Sequence, residues 1–318
     1  LHRVDRRQRQ MCIRDRQTLV HWIGNRAPRG DSETDPLEDF AAQDFTDWAL
    51  GEPDYIVTGP QNAIPSTGVM DYVYEDVELP FVGDKWLRAI QYIAGDESVL
   101  HHLVTFVTPP EEDFWGGERI SESVTRRFVG SYLPGKTNAI EFDEGTGVLV
   151  PQGHKLSMQF HYVTNGQSTV DETLFGLYFS DEPNLKERLT HAVASRFLLP
   201  PNDNDFELRA ERKIEQDIVV IGVRARMNFR GKRMKFVVEN PQGQIRDLFS
   251  VPAYNYGWQP DYLLNEAVPV AAGSTLRVIG AFDNSLSNPS NPDPSKEVTF
   301  GLESWEEMFT GYFTFYNQ

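Results

Sequence analysis

The chain has 318 residues, 40% hydrophobic and 24% charged, enough material for about two globular domains. A formal net charge of −17 and a pI near 4.8 argue against nucleic acid or an anionic membrane surface as partner. Mean hydropathy is −0.45, and no run approaches the roughly 20 apolar residues of a membrane-spanning helix. With one cysteine, neither an intrachain disulfide nor a Cys-based zinc or iron–sulfur site can form, so any metal falls to His, Met or carboxylates.

Residues 1–16 differ in character from the rest of the chain. They carry six Arg against two Asp, net +4, which leaves residues 17–318 at −21 (−17 − 4). They show no period and lack the apolar core of a signal peptide. Met11-Cys12-Ile13-Arg14-Asp15-Arg16 resembles the translated read of a sequencing-library adapter, and 1–16 is set aside as non-native; a genuine basic arm is the alternative.

In Thr18-Leu19-Val20-His21-Trp22-Ile23 the apolar residues fit one helical face, and Gly24 with Pro28 is expected to stop the helix. So short a helix is not stable alone, which makes it the tail of a domain whose beginning is missing. Residues 31–47 then hold seven acids and no Lys or Arg, an acidic linker. The segment 17–49 is read as that tail plus linker.

From Leu50 onward the pattern is β. Tyr55 to Val57, Val73 to Leu79, Trp86 to Ile93, Leu100 to Val107, Val148 to Tyr162 and Glu172 to Phe179 are apolar or alternating runs bounded by Gly, Pro and Asp. Asn165-Gly166 predicts a tight turn. Composition softens at Asp181 to Asn184, which sets a domain boundary at residue 185. Ile218 to Val223, Lys235 to Glu239, Ile245 to Val251, Thr275 to Phe282 and Gly311 to Tyr316 repeat the style, with a turn at Asn240-Pro241-Gln242-Gly243. Asp283 to Pro294 is too rich in Pro for a central strand. Short strands at 8–12-residue spacing predict an all-β protein: two consecutive antiparallel, jelly-roll-like β-sandwiches over 50–185 and 186–318, with a short helical N-terminal remnant.

Three of the seven histidines fall in two of these runs: His101 and His102 in one, His161 in the other. Neutral imidazole suits copper or zinc. Adjacent side chains on a regular strand point to opposite faces, so His101 and His102 share an ion only if the strand ends, twists or bulges there. Otherwise one is buried and one exposed. His21, His154 and His191 have no partner motif and read as ordinary surface or core histidines. Asn202-Asp203-Asn204-Asp205 lacks the glycine and glutamate of a calcium loop and reads as a turn. The chain has no Gly-rich phosphate loop, nucleophile elbow or His-Glu-x-x-His helix.

Gly95-Asp96-Glu97-Ser98-Val99-Leu100-His101-His102, Gln159-Phe160-His161-Tyr162 and Trp305-Glu306-Glu307-Met308 resemble the copper type II, ascorbate-dependent monooxygenases, the peptidylglycine hydroxylating and dopamine β-monooxygenase family. Leu50-Gly51-Glu52-Pro53-Asp54, Phe229-Arg230-Gly231-Lys232, Trp258-Gln259 and Asp283-Asn284-Ser285 to Asn291-Pro292-Asp293-Pro294 are closer to its bacterial branch. The resemblance spans residues 50–318. It implies C–H hydroxylation with O2 and an external reductant, and a small-molecule substrate or reductant in a cleft between the domains. It also implies a periplasmic or secreted location, and a cytochrome c-like domain ahead of the pair, to which any haem would belong.

The resemblance further implies one copper site per domain. His101, His102 and His161 match the electron-transferring three-histidine site. Gln159, two positions before His161 and so on the same strand face, could tune or orient that site from behind; the alternative is a satisfied polar residue at a sheet edge. The family's second site takes a His-x-His just before the segment matching Phe229 to Lys232, plus the methionine matching Met308. Here those positions are Arg226, Met227 and Asn228. Arginine has no acceptor and cannot ligate, Asn228 offers only a weak amide oxygen, and Met308 alone is a feeble ligand better read as a core methionine. The expected complement is one copper ion with the catalytic second site degraded. Two functions are compatible with this: a monooxygenase-like oxidoreductase of altered or lost turnover, or a redox-only or non-catalytic mono-copper protein with the second domain as a scaffold or binding module. In the second case Arg226 could hold an anion or carboxylate.

Overall fold

Along Lys155–Tyr162 the side chains alternate: Leu156, Met158, Phe160 and Tyr162 are buried, whereas Gln159 and His161 are only partly covered. A period of two with one buried face makes this a strand lying on a core. The computed structural model describes residues 17–28, 47–112, 126–134, 138–182, 184–301 and 305–318. The adapter-like segment 1–16 and nearly all of the acidic linker (29–46) lie outside them.

Residues 17–24 form the one helix among the described residues, in a unit of its own. Gly24 lies inside it. The helix ends instead where Arg26 and Ala27 turn to φ of 65° and 48°, with the Ala27 N–H on the Trp22 carbonyl and the Trp22 indole N–H on the Pro28 carbonyl.

The first sandwich opens with β1 (Tyr55–Thr58), β2 (Asn62–Ile64), β3 (Val73–Glu78), β4 (Lys85–Ile93), β5 (Leu100–Thr108) and β6 (Arg127–Tyr132). It continues with β7 (Ala139–Glu141), β8 (Thr146–Val150), β9 (Lys155–Tyr162), β10 (Thr169–Asp171), β11 (Leu174–Ser180) and β12 (Lys186–Glu187). One main sheet runs β1-β11-β4-β8-β12 with β7 beside β4; the other runs β3-β9-β5-β6, and β10 pairs with β2 in a small antiparallel ribbon. Pairing in both is antiparallel except where β12 lies parallel to β8, so the first sandwich reaches just past residue 185.

The second sandwich opens with β13 (Leu189–Ala194), β14 (Leu198–Leu199), β15 (Phe206–Lys213), β16 (Ile218–Arg226) and β17 (Gly231–Glu239). It closes with β18 (Ile245–Val251), β19 (Tyr262–Val270), β20 (Thr275–Phe282), β21 (Val298–Thr299) and β22 (Thr310–Asn317). Its main sheets are β13-β22-β16-β19 and β15-β20-β17-β18, and β14 pairs with β21 in a small one. The two cores share no residue: one draws on Val57 to Leu177, the other on Val193 to Phe315. Gly311 lets β22 press onto β20, since a Cβ there would sit 2.2 Å from Val278 Cγ1 and 2.9 Å from Phe236 Cε1.

Some expectations need adjusting. Val148 to Tyr162 is two strands in different sheets, broken at Pro151 and at Gly153, whose φ is +81°. The short strands β2, β7, β10, β12, β14 and β21 and the longer β6, β13, β15 and β19 lie outside the expected runs; β15 alternates with charged residues and β19 carries Pro269. The turn at Asn240 forms as expected, with the Gly243 N–H on the Asn240 carbonyl.

Candidate metal centre

The histidines are placed by strand register. On β9, His161 lies on the face opposite Leu156, Met158 and Phe160, turned away from the first core. On β5, His102 sits directly across from His161, so its ring points the same way. A regular strand would send His101 to the other face. The ladder slips between Leu100 and His102, and this irregularity brings His101 back to its neighbour's side.

The three rings converge through Nδ1. His101 Nδ1 lies 3.0 Å and His161 Nδ1 3.3 Å from His102 Nδ1, and one ligand atom from each residue falls within 4.8 Å of the others. An ion bonded at about 2.0–2.1 Å to two imidazoles at a tetrahedral angle holds them roughly 3.4 Å apart. The spacing therefore fits a single metal ion, and among the described residues it is the one such group of three. His102 is buried, the other two half-buried.

All three rings are held neutral. Burial lowers each, most of all His102, and the Arg226 charge adds to it in every case. For His161 burial comes first, then the His101 and Arg226 charges, and the result is about 4. Neutral imidazoles at pH 7 are the form that ligates.

Two tyrosines unmarked by any sequence motif flank the rings. Tyr72 stacks on His161 with centroids 4.7 Å apart, and Tyr256, from the loop after β18, lies near-parallel to His101 at 6.2 Å. Gln159 donates its amide to the Tyr74 hydroxyl at 2.7 Å, so it reaches the histidines through the tyrosine pair Tyr74 and Tyr72.

The second sandwich supplies the facing wall. Arg226, at the end of β16, donates from Nε to Met308 Sδ at 3.4 Å and from Nη2 to His102 Nε2 at 3.5 Å. Among the described residues it makes no ion pair with a carboxylate. Asn228 is buried, its backbone N–H on Glu307 Oε2 at 2.8 Å and its amide on the Glu306 carbonyl. Burial pushes the Glu307 carboxyl up to about 8, against the N–H groups of Arg230 and Asn228 that it accepts. Arg226 and Asn228 are thus taken up by protein contacts, and Met308 is a buried methionine that accepts from arginine.

Between the outer faces of the β3-β9-β5-β6 and β13-β22-β16-β19 sheets lies a cavity of about 900 Å³, with His102, Gln159, Arg224, Arg226, Met308 and Tyr312 among its lining. Arg224 spans it: its guanidinium sits 4.4 Å from the Phe128 ring of the first sandwich and 4.6 Å from Tyr312 of the second, with Asp261 at 3.6 Å. No further described histidine joins the cluster, although His191 lines the same cavity. His191 packs on Phe315 in the second sandwich, and His154 lies in the turn before β9. Asn202 to Asp205 is a turn whose Asp205 pairs with Lys232 and Arg233.

No protein-family model and no curated protein matches the chain. Among solved structures, it is similar to one described as "Structure of allantoicase", at 12% identity over 67% of this chain and 76% of that one, with a TM-score of 0.22. It is also similar to a chain of infectious bursal disease virus, Gt strain, at 9% identity over 84% of this chain and 72% of that one, with a TM-score of 0.24. Likenesses this distant carry no argument about function.

Proposed function

We propose that this protein binds one copper ion at His101, His102 and His161 and acts as a redox or binding protein, with its second sandwich as a wall and scaffold rather than a second metal site. One observation carries this reading: three neutral imidazoles converge at a strand irregularity while Arg226 occupies the side of Met308 that a second ion would need. Copper is preferred over zinc through the resemblance to the copper monooxygenases and through the suitability of three imidazoles for both copper valences. When bound, copper supplies one-electron chemistry. The chain's own part is to hold three rings neutral, with tyrosines against two of them. A periplasmic or secreted location goes with the same resemblance.

The test is metal analysis of the full chain after copper loading and removal of excess. One equivalent per chain is expected, lost in His161→Ala and unchanged in Met308→Leu. Two equivalents, or one that survives His161→Ala, would overturn it.

A second reading is hydroxylation of a small molecule with O2 and an external reductant. The cavity of about 900 Å³ beside His102 favours it, being large enough for a small substrate or reductant. Reductant-dependent O2 consumption by the copper-loaded chain above that of His161→Ala would support it; equal rates would remove it.

A further inference from the structure

We infer that Arg226 makes the three-histidine centre select ions by charge, favouring a monovalent ion over a divalent one of the same electron count. The inference rests on the reading of His101, His102 and His161 as a metal centre. It concerns a residue whose charge is fixed, since a guanidinium does not deprotonate in proteins.

Two effects act at the contact between Arg226 Nη2 and His102 Nε2, 3.5 Å apart. The first is tautomeric. Arginine only donates, so the contact is a hydrogen bond only while Nε2 of His102 holds a lone pair and the proton sits on Nδ1. His102 points Nδ1 at the other two rings, and an ion there displaces that proton and leaves Nε2 protonated. Two donors then face each other. This opposes every ion equally.

The second effect is coulombic and scales with ionic charge. The guanidinium faces the centre across the His102 ring, 3.5 Å from its far nitrogen, which puts it roughly 7 Å from an ion bonded to the near one. At that distance one extra unit of charge is disfavoured by about threefold in a water-like dielectric and about fiftyfold at an effective dielectric near 20. Among the described residues Arg226 pairs with no carboxylate, and its acceptors are a thioether and an imidazole. Arg226 thus resists Zn²⁺ or Cu²⁺ more than Cu⁺.

Cu⁺ and Zn²⁺ make a clean probe pair, because both have a filled d shell and differ by one charge. Their affinities for the full chain are measured anaerobically by competition with chromophoric chelators, for wild type, Arg226→Met, Arg226→Gln and Arg226→Lys. In the Met and Gln variants the Zn²⁺ affinity is expected to rise about tenfold more than the Cu⁺ affinity, while Lys keeps the wild-type ratio. A tenfold change also lowers the reduction potential of the copper couple by about 59 mV in the neutral variants. An unchanged Zn²⁺/Cu⁺ ratio in both neutral variants, or a Lys variant that shifts as far as they do, overturns the inference and leaves the metal centre standing. Failure of wild type to bind either ion, or binding indifferent to His161→Ala, overturns the centre and the inference together.

Discussion

Arg226 of the second sandwich donates to the far nitrogen of His102 in the first, 3.5 Å away, so a permanent cation touches the centre of a histidine cluster. Without metal, that cation helps keep the rings from protonating. Replacing it by methionine should raise the titration midpoints of His101 and His161, read from imidazole resonances by NMR across pH 3–8. Midpoints that stay put would mean that burial alone keeps these rings neutral.

His161 also ties stability to pH. Its folded value of about 4 lies below the ordinary 6.5, so the native state binds fewer protons than the unfolded chain in that window. The stabilisation from keeping it neutral is complete above pH 6.5 and is lost as pH falls through 4. The urea midpoint of the metal-free wild type should therefore drop relative to His161→Gln between those values. Parallel profiles for the two proteins would remove His161 as the cause.

Arg224 joins the two sandwiches through Phe128 and Tyr312, with Asp261 beside it. Arg224→Met should cost about 1–3 kcal/mol and begin to separate the unfolding of the two sandwiches in calorimetry. Arg224→Lys should recover only part of the loss, because an ammonium lacks the flat face that lies against both rings. A single unshifted transition in the Met variant would show that the stack carries no stability.

Gly311 offers a packing test in the core of the second sandwich. Adding a methyl there pushes Val278 and Phe236 out of place, and Gly311→Ala should cost about 1–3 kcal/mol in denaturant unfolding. Paired with Val278→Ala, part of that cost should return. No recovery would mean that the backbone of β22, not the side-chain contact, sets the penalty.

Much of the fold could be read from local pattern. Leu156, Met158, Phe160 and Tyr162 declare their strand by alternation, as do the runs around Leu103 and Val278. Segments such as Phe206–Lys213 hide because glutamates and arginines on a strand's wet face look like a loop until the partner strand is known. At the site, residue types alone singled out His101, His102 and His161. Local sequence could not show that Arg226 crosses to His102, or that Tyr72 and Tyr256 lie over the rings. Those contacts link residues 89 to 155 positions apart in the chain (161 − 72 and 256 − 101), and only tertiary packing creates them.

The slipped register at His101 sets a limit on how this protein can change. Straightening β5 by removing one residue would restore an unbroken ladder with β9, and the same edit would leave one imidazole too few on the outer face. A more regular sheet and an intact cluster are thus mutually exclusive at this point. Consensus redesign or selection for thermostability alone would be drawn toward the tidier strand, and the imperfection is what such efforts must leave in place.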